Sequence, residues 1–318
     1  HLKKYKIIIA IAALAQTWLS YQLFNIPINP YILLFVTIAT PFSYSLAESF
    51  SYDLNQKNKL FHESIVNCIT IFTEKIILNH LHIIIDHREQ SDNITILQDL
   101  FLSIILFQKN KLFFTFKKLF FGFTFLILLY IATFLNKNTI AQFAMAAIIA
   151  IAYNLPLKSN KNSAFRLRQI KGLKIFLIAF SWTLVTVYIP INLYIVNKIS
   201  LTIVLINNFL FIAILSLLFD IKDFQKDKEN NLPSIPVLIG VTKSYHIIQL
   251  ILALLVISTC YLYNDVGFAT TAALLLHILF SYVVIFKLKS SHKNFYYTIL
   301  IDGLLISQAL VVWIAKNL

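Results

Sequence analysis

The sequence predicts an all-α, polytopic membrane helical bundle with about nine transmembrane helices. Three observations carry that expectation. The 318-residue chain is 58% hydrophobic and only 13% charged, with a mean hydropathy of +0.76; a soluble domain has about 25% charged residues. Apolar runs of about 20 residues, long enough to cross a bilayer, recur along it. Its cations are grouped: all but Lys137, Lys198 and Lys316 of the 27 Lys and Arg fall at the N-terminus or within 51–118, 158–174, 222–243 and 287–293.

The first run, 5–25, follows the basic N-terminus and is long enough to span rather than to serve as a cleaved signal. The uncharged connection 26–30 leads to the second, 31–50. A basic stretch precedes 115–135, and the short link 136–138 turns the chain into 139–157. The basic stretch 158–174 then opens 172–191, and 192–199 leads to 200–219. Another basic stretch, 222–243, precedes 244–262; the link 263–265 joins it to 266–286, and 287–293 leads to 295–315. With only 5 Gly in the chain, Ala and Ser supply the small packing residues of the fourth and ninth runs.

Basic and non-basic connections alternate, as the positive-inside rule requires. The N-terminus is expected in the cytoplasm and, after nine spans of a cytoplasmic membrane, the C-terminus outside. The net charge of +13 therefore encodes topology, with attraction to anionic lipid heads second, and implies no nucleic acid partner. The chain is expected to form one domain, 1–318, with 56–114 an extended cytoplasmic cap loop. Within that loop, 64–85 and 94–107 read as interfacial helices.

Several patterns carry little chemistry. Cys68 and Cys260 have no metal or disulfide spacing. His80 and His82, at i and i+2, do not share a helix face, and no carboxylate pattern completes a metal site with them or His87. No P-loop, Gly-x-Ser-x-Gly or dinucleotide fingerprint is present. A secondary transporter would show inverted repeats and broken Gly/Pro helices, and neither is evident. Asp302, inside the ninth run near Ser307 and Gln308, is either functional or held by a neighbouring helix. Asn207 and Asn208 in the sixth run pose the same choice.

The sharpest pattern is Asp220-Ile-Lys-Asp223-Phe-Gln-Lys-Asp227 at the end of the sixth run. On one continuous helix these three carboxylates fall within roughly 60° of each other. Crowded like charges repel, and a hard cation such as Mg²⁺ would neutralise them. Such a cluster at a membrane boundary points to a phosphorylated or diphosphate-bearing lipid. The segment continues through Asn230, Asn231 and Leu-Pro-Ser-Ile-Pro-Val-Leu-Ile-Gly240.

The stretch 219–240 resembles the second aspartate motif of the UbiA-type intramembrane prenyltransferase superfamily. Ala152-Tyr-Asn-Leu-Pro-Leu-Lys158 resembles that family's Tyr-Ser-x-Pro-x-x-Lys after its fourth helix, and Ile170-Lys-Gly-Leu-Lys174, with Trp182 beyond, resembles its entry to the fifth. The likeness covers about 150 to 318 well. The family's first motif, Asn-Asp-x-x-Asp-x-x-x-Asp, corresponds here to Ala47-Glu-Ser-Phe-Ser-Tyr-Asp-Leu-Asn55. Ser51 and Asn55 stand where the family has carboxylates, Glu48 keeps an acid, and Asp53 adds one on another face.

The resemblance implies a membrane prenyltransferase, an enzyme transferring a prenyl group from a polyprenyl diphosphate to a hydrophobic acceptor with Mg²⁺. Asp220, Asp223 and Asp227 would be the metal-binding and catalytic residues. Glu48, Ser51, Asn55, Tyr153, Lys158, Arg166 and Arg168 would contact substrate, the two guanidinium groups being suited to bidentate phosphate contacts. Because the first motif is degenerate, the alternative is a non-catalytic relative that binds an isoprenoid or quinone lipid or supports a membrane complex.

Overall fold

The computed structural model describes residues 2–53, 112–154, 156–159, 163–166, 170–288 and 294–318. Among them nine long helices stand where the nine apolar runs were expected. These are α1 (Leu2–Leu23), α2 (Pro30–Asp53), α3 (Leu112–Ala132), α4 (Lys137–Asn154), α5 (Leu173–Thr183), α6 (Lys198–Lys222), α7 (Val241–Tyr261), α8 (Phe268–Leu288) and α9 (Asn294–Asn317). α5 runs on as a π turn over Leu184–Tyr188 and ends at Ile189–Ile191. Six of these segments are long and apolar enough to cross a membrane: Lys6–Leu23, Leu173–Ile191, Lys198–Lys222, Val241–Tyr261, Phe268–Lys287 and Ile299–Asn317. The apolar parts of α2 and α3, Pro30–Leu46 and Leu119–Ala132, are shorter. The protein is therefore an integral membrane helical bundle, with six of the nine expected spans established by length.

Two local features depart from the sequence expectation. Within the basic 158–174 stretch lies a β-hairpin, β1 (Pro156–Ser159) and β2 (Ser163–Arg166), pairing Lys158 with Ala164 and Pro156 with Arg166. Residues 112–114, expected in the long loop, already belong to α3. The expected interfacial helices 64–85 and 94–107, with Cys68 and the three His of that loop, lie outside the described residues.

Contacts divide the chain into two compact units, His1–Ala47 with Leu128–Leu318, and Glu48–Ile127. Of the second, the described residues are the end of α2 and the first part of α3, where Thr124 Oγ1 donates to Phe120 O at 2.8 Å. Phe120 and Phe123 are exposed, as side chains that face lipid are.

In the first unit one buried cluster joins Ala12 of α1 to Ala179, Leu218, Ile248, Ile278, Ile301 and Leu304 of α5–α9. A second gathers Leu19, Val187, Val204, Leu262, Leu274 and Val312, and a third joins Ala13 to Ile32, Phe143 and Ile189. Lipid tails are as apolar as these side chains, so packing and interhelical hydrogen bonds hold such a bundle together. Gln16 of α1, fully buried, donates through Nε2 to Leu305 O (2.9 Å) and Gln308 Oε1 (3.1 Å) of α9. Its Oε1 accepts from Asn208 Nδ2 of α6 at 2.9 Å, and Asn208 Oδ1 accepts from Thr183 Oγ1 of α5 at 3.1 Å. Ser20 Oγ donates to Thr186 O inside the π turn at 2.8 Å. Towards their common end, α1 and α9 bring Trp18 and Trp313 to 6.2 Å between ring centroids. Lys316 Nζ donates there to Gln22 O and, at 2.6 Å, to Asn25 Oδ1.

Candidate functional site

α6 is apolar for most of its length and ends on charge. Asp220 is buried at 1% exposure and Ile221 is buried beside it, whereas Lys222 and Asp223 are half-buried. The helix breaks at Asp223, whose φ of −89° and ψ of 9° lie in the sparsely allowed bridge region. The chain resumes as a short helix, Phe224–Glu229, with Asp227 N donating to Asp223 O at 2.8 Å. Asp220, Asp223 and Asp227 therefore do not lie on one continuous helix, as the 3.6-residue repeat predicts. The break re-aims the third carboxylate relative to the first, and Asp227 ends up buried.

The segment that follows is built from turn chemistry. Asn231 adopts a left-handed φ of 51°, and Leu232 N returns to Asp227 O at 2.9 Å. A short helix, Ile235–Ile239, carries Pro at its start, and Gly240 with φ of 90° turns the chain into α7. The helix Phe224–Glu229 packs on α6 and on Ile235–Ile239, and Ile235–Ile239 packs on both α6 and α7. The whole second motif is thus folded back over the end of α6.

On the facing side, Gly172 (φ 71°) sits at the N-cap of α5, a conformation that glycine adopts without penalty. It brings Lys174 into the first turn of α5, where Nζ forms an ion pair with Asp220 Oδ1. Asp227 and Asp223 lie close enough to Asp220 to repel it, and Lys174 offsets that repulsion. The Asp227 carboxylate makes no hydrogen bond or ion pair among the described residues. A carboxylate at the end of a membrane helix with no side-chain partner of its own is suited to a cation.

No group of three or more His, Cys, Asp or Glu side chains converges among the described residues. The three aspartates therefore form no all-protein metal cage. Mg²⁺ does not need one: it is usually held by one or two carboxylates together with water and substrate phosphate. A buried pair, Asp220 and Asp227, with Asp223 beside it, fits that requirement.

The other expected site residues are distributed as follows. Tyr153 is the penultimate residue of α4, Lys158 lies in β1 and Arg166 ends β2. Glu48 and Ser51 lie in the last turns of α2. Asn55 and Arg168 fall outside the described residues. The sequence reading gave Lys174 no role of its own. The signal was Gly-Leu-Lys at the head of an apolar run, a cation placed just where a helix enters the bundle.

Comparison with known proteins decides the family. A model of the UbiA prenyltransferase family matches residues 116–299. The chain belongs to the UbiA prenyltransferase family. Solved structures agree on the fold of this UbiA protein. A UbiA homologue from Archaeoglobus fulgidus bound to DMAPP and Mg²⁺ is 15% identical, with a TM-score of 0.54, over 98% of this chain and 99% of that one. An apo UbiA homologue from Aeropyrum pernix K1 is 12% identical, with a TM-score of 0.57, over 98% of each chain. A structure of digeranylgeranylglyceryl phosphate synthase is 14% identical, with a TM-score of 0.53, over 99% of this chain and 96% of that one. No curated protein matches this UbiA protein in sequence.

Proposed function

We propose that this UbiA protein is an intramembrane prenyltransferase that moves a prenyl group from a polyprenyl diphosphate to a hydrophobic acceptor with Mg²⁺. One observation carries the reading: the end of α6 holds Asp220, buried and paired with Lys174, and close after it Asp227, whose carboxylate makes no hydrogen bond or ion pair among the described residues. The A. fulgidus homologue, which shares the fold, was solved with DMAPP and Mg²⁺.

Asp220, Asp223 and Asp227 are the residues that would hold the metal. Bound there, Mg²⁺ would neutralise the diphosphate as it leaves, worth several kcal/mol of transition-state stabilisation. The chain's own residues do the rest. Lys174 fixes Asp220, the short helices after Asp223 pack on the end of α6, and the apolar side chains of α5–α9 would exclude water from a prenyl chain bound among them. Lys158, Arg166 and Arg168, as further positive charge, and Tyr153, as an aromatic ring for a developing cation, enter this reading from the sequence resemblance. Glu48, Ser51 and Asn55 enter this reading from sequence alone. The protein acts as a single UbiA-like domain in a cytoplasmic membrane, with its N-terminus cytoplasmic and its C-terminus outside, as the positive-inside pattern requires.

The test is titration of the detergent-purified protein with a non-hydrolysable farnesyl or geranylgeranyl diphosphate analogue, with and without Mg²⁺. Mg²⁺-dependent binding that Asp223→Ala abolishes is the expected result. Absence of binding under both conditions would sink the reading. The second reading, a binder without turnover, is favoured by Ser51 and Asn55 in place of carboxylates. It predicts binding of the analogue but no release of diphosphate from farnesyl diphosphate in an acceptor screen.

A further inference from the structure

Away from the aspartates, α1, the π turn after α5 and α6–α9 surround a partly open cavity of about 40 Å³. That is room for about three waters at the 10–15 Å³ each requires. Asn207, on its wall, precedes Asp220 by about 20 Å of α6 at 1.5 Å per residue. Leu23, the last residue of α1, and Leu262, just after α7, also bound it, so it lies towards the non-basic connections 26–30 and 263–265. Among the described residues no charged side chain lines it. The cavity therefore suits neither a phosphate nor a cation.

The polar groups left open on its wall are donors. Gln16 Nε2 donates to the Leu305 carbonyl, which fixes the sense of that amide, and the same nitrogen donates to Gln308 Oε1. Gln308 thus turns its oxygen to α1, and its own Nε2 has no partner among the described residues. The oxygens of Asn207 and Asn208 are likewise taken, by the hydroxyls of Ser258 and Thr183. Thr259, 3% exposed, lines the cavity. Thr17, Thr37 and Thr202 return their hydroxyls to the carbonyl four residues back, whereas the Thr259 hydroxyl makes no hydrogen bond among the described residues. Donors left dry in an apolar bundle are costly. A hydrocarbon chain would leave them so, and an oxygen would not. We propose that this cavity binds the carbonyl or hydroxyl oxygen of an uncharged hydrophobic molecule, at a second site apart from the diphosphate end of α6. The inference rests on the cavity and its open donors, and not on the prenyl diphosphate reading.

The experiment reads the thermal midpoint of the full chain in detergent against increasing 2-undecanone, a small ketone on an apolar chain, and against undecane, the same length without oxygen. The ketone should raise the midpoint to a plateau, since a ligand of the folded state stabilises that state, and undecane should not. Thr259→Val keeps the shape and removes the hydroxyl, so about fivefold more ketone should be needed for the same shift, the scale of one neutral hydrogen bond. Thr259→Phe, which fills the cavity, should abolish the shift; if that variant does not fold, the Thr259→Val titration decides. No shift with the ketone would mean that the cavity holds water only, and an equal shift with undecane that it is an apolar hollow only. Either result, or an unchanged ketone titration in Thr259→Val, would overturn the inference. Failure of the prenyl diphosphate analogue to bind would leave it standing.

Discussion

The middle of α6 and its C-terminal end carry polar side chains in opposite states. In the middle, Asn208 gives its N–H to Gln16 and takes the Thr183 hydroxyl, while Asn207 takes the Ser258 hydroxyl at 2.5 Å. Gln16 is likewise matched on both its nitrogen and its oxygen. At the end, Asp220 has one lysine, and the Asp227 carboxylate has no side-chain partner among the described residues. Neutral amides that satisfy one another fix helices. Charges left incompletely paired in a bundle await something else. The distinction between structure and function along this helix is therefore a distinction in hydrogen-bond satisfaction, not in polarity.

The sharpest way to break that comparison is Asp227→Ala. Analogue binding in the presence of Mg²⁺ should fall by about 100-fold, the upper end of what losing even an outer-shell partner of a metal ligand costs. The melting temperature should hold, because the Asp227 carboxylate makes no hydrogen bond or ion pair among the described residues that the substitution would break. A fall in melting temperature with binding retained would move Asp227 to the structural side.

Next in size is Lys174→Met, which strands Asp220. A loss of about 2 kcal/mol is expected, below the 3–5 kcal/mol of a fully buried pair because Lys174 is one-third exposed. Excess Mg²⁺ should recover part of it, since a ligand of the folded state stabilises that state. Unfolding measured with and without Mg²⁺ checks this, and no recovery would argue against a cation at Asp220.

Gln16→Ala should cost about 1–2 kcal/mol by taking the Gln16 partner from Asn208 Nδ2 and Gln308 Oε1. Analogue affinity should be unchanged, and a large loss of affinity with normal stability would reverse the assignment of the middle of α6. The smallest effect is expected for Ser258→Ala, about 0.6 kcal/mol, the average for an interhelical hydrogen bond in a membrane. A change above about 2 kcal/mol would show that Asn207 depends on this one hydroxyl.

Much of the fold was legible because the bilayer imposes one length and one composition. The long helices α1 to α9 begin and end within a few residues of the apolar runs, and the basic connections separate them. What periodicity did not carry was local. The break at Asp223 depends on a bridge-region backbone that no repeat encodes. The hairpin at Pro156–Arg166 lies in a stretch whose charge obscured its alternation. The π turn over Leu184–Tyr188 adds a residue to a helix that otherwise reads as regular. At the site, the aspartates were legible as a spacing, whereas Lys174 required a tertiary contact across 46 residues. Gln16, polar within an apolar run, carried a signal that went unread, and its partners on α6 and α9 could be found only by folding the chain.

The contact between the first helix and the last has a consequence for how the protein is made. Gln16 and Gln308 are 292 residues apart, and Lys316 reaches back to Gln22 across 294. At the roughly 5–20 residues per second of synthesis, α1 waits on the order of 15–60 s in the bilayer before α9 exists. During that time the Gln16 amide has no Leu305 carbonyl to meet, so α1 is held meanwhile by water, lipid headgroups or the insertion machinery. A ribosome that stops before α9 leaves a chain whose oldest helix still carries the Gln16 N–H donor without its Leu305 and Gln308 acceptors.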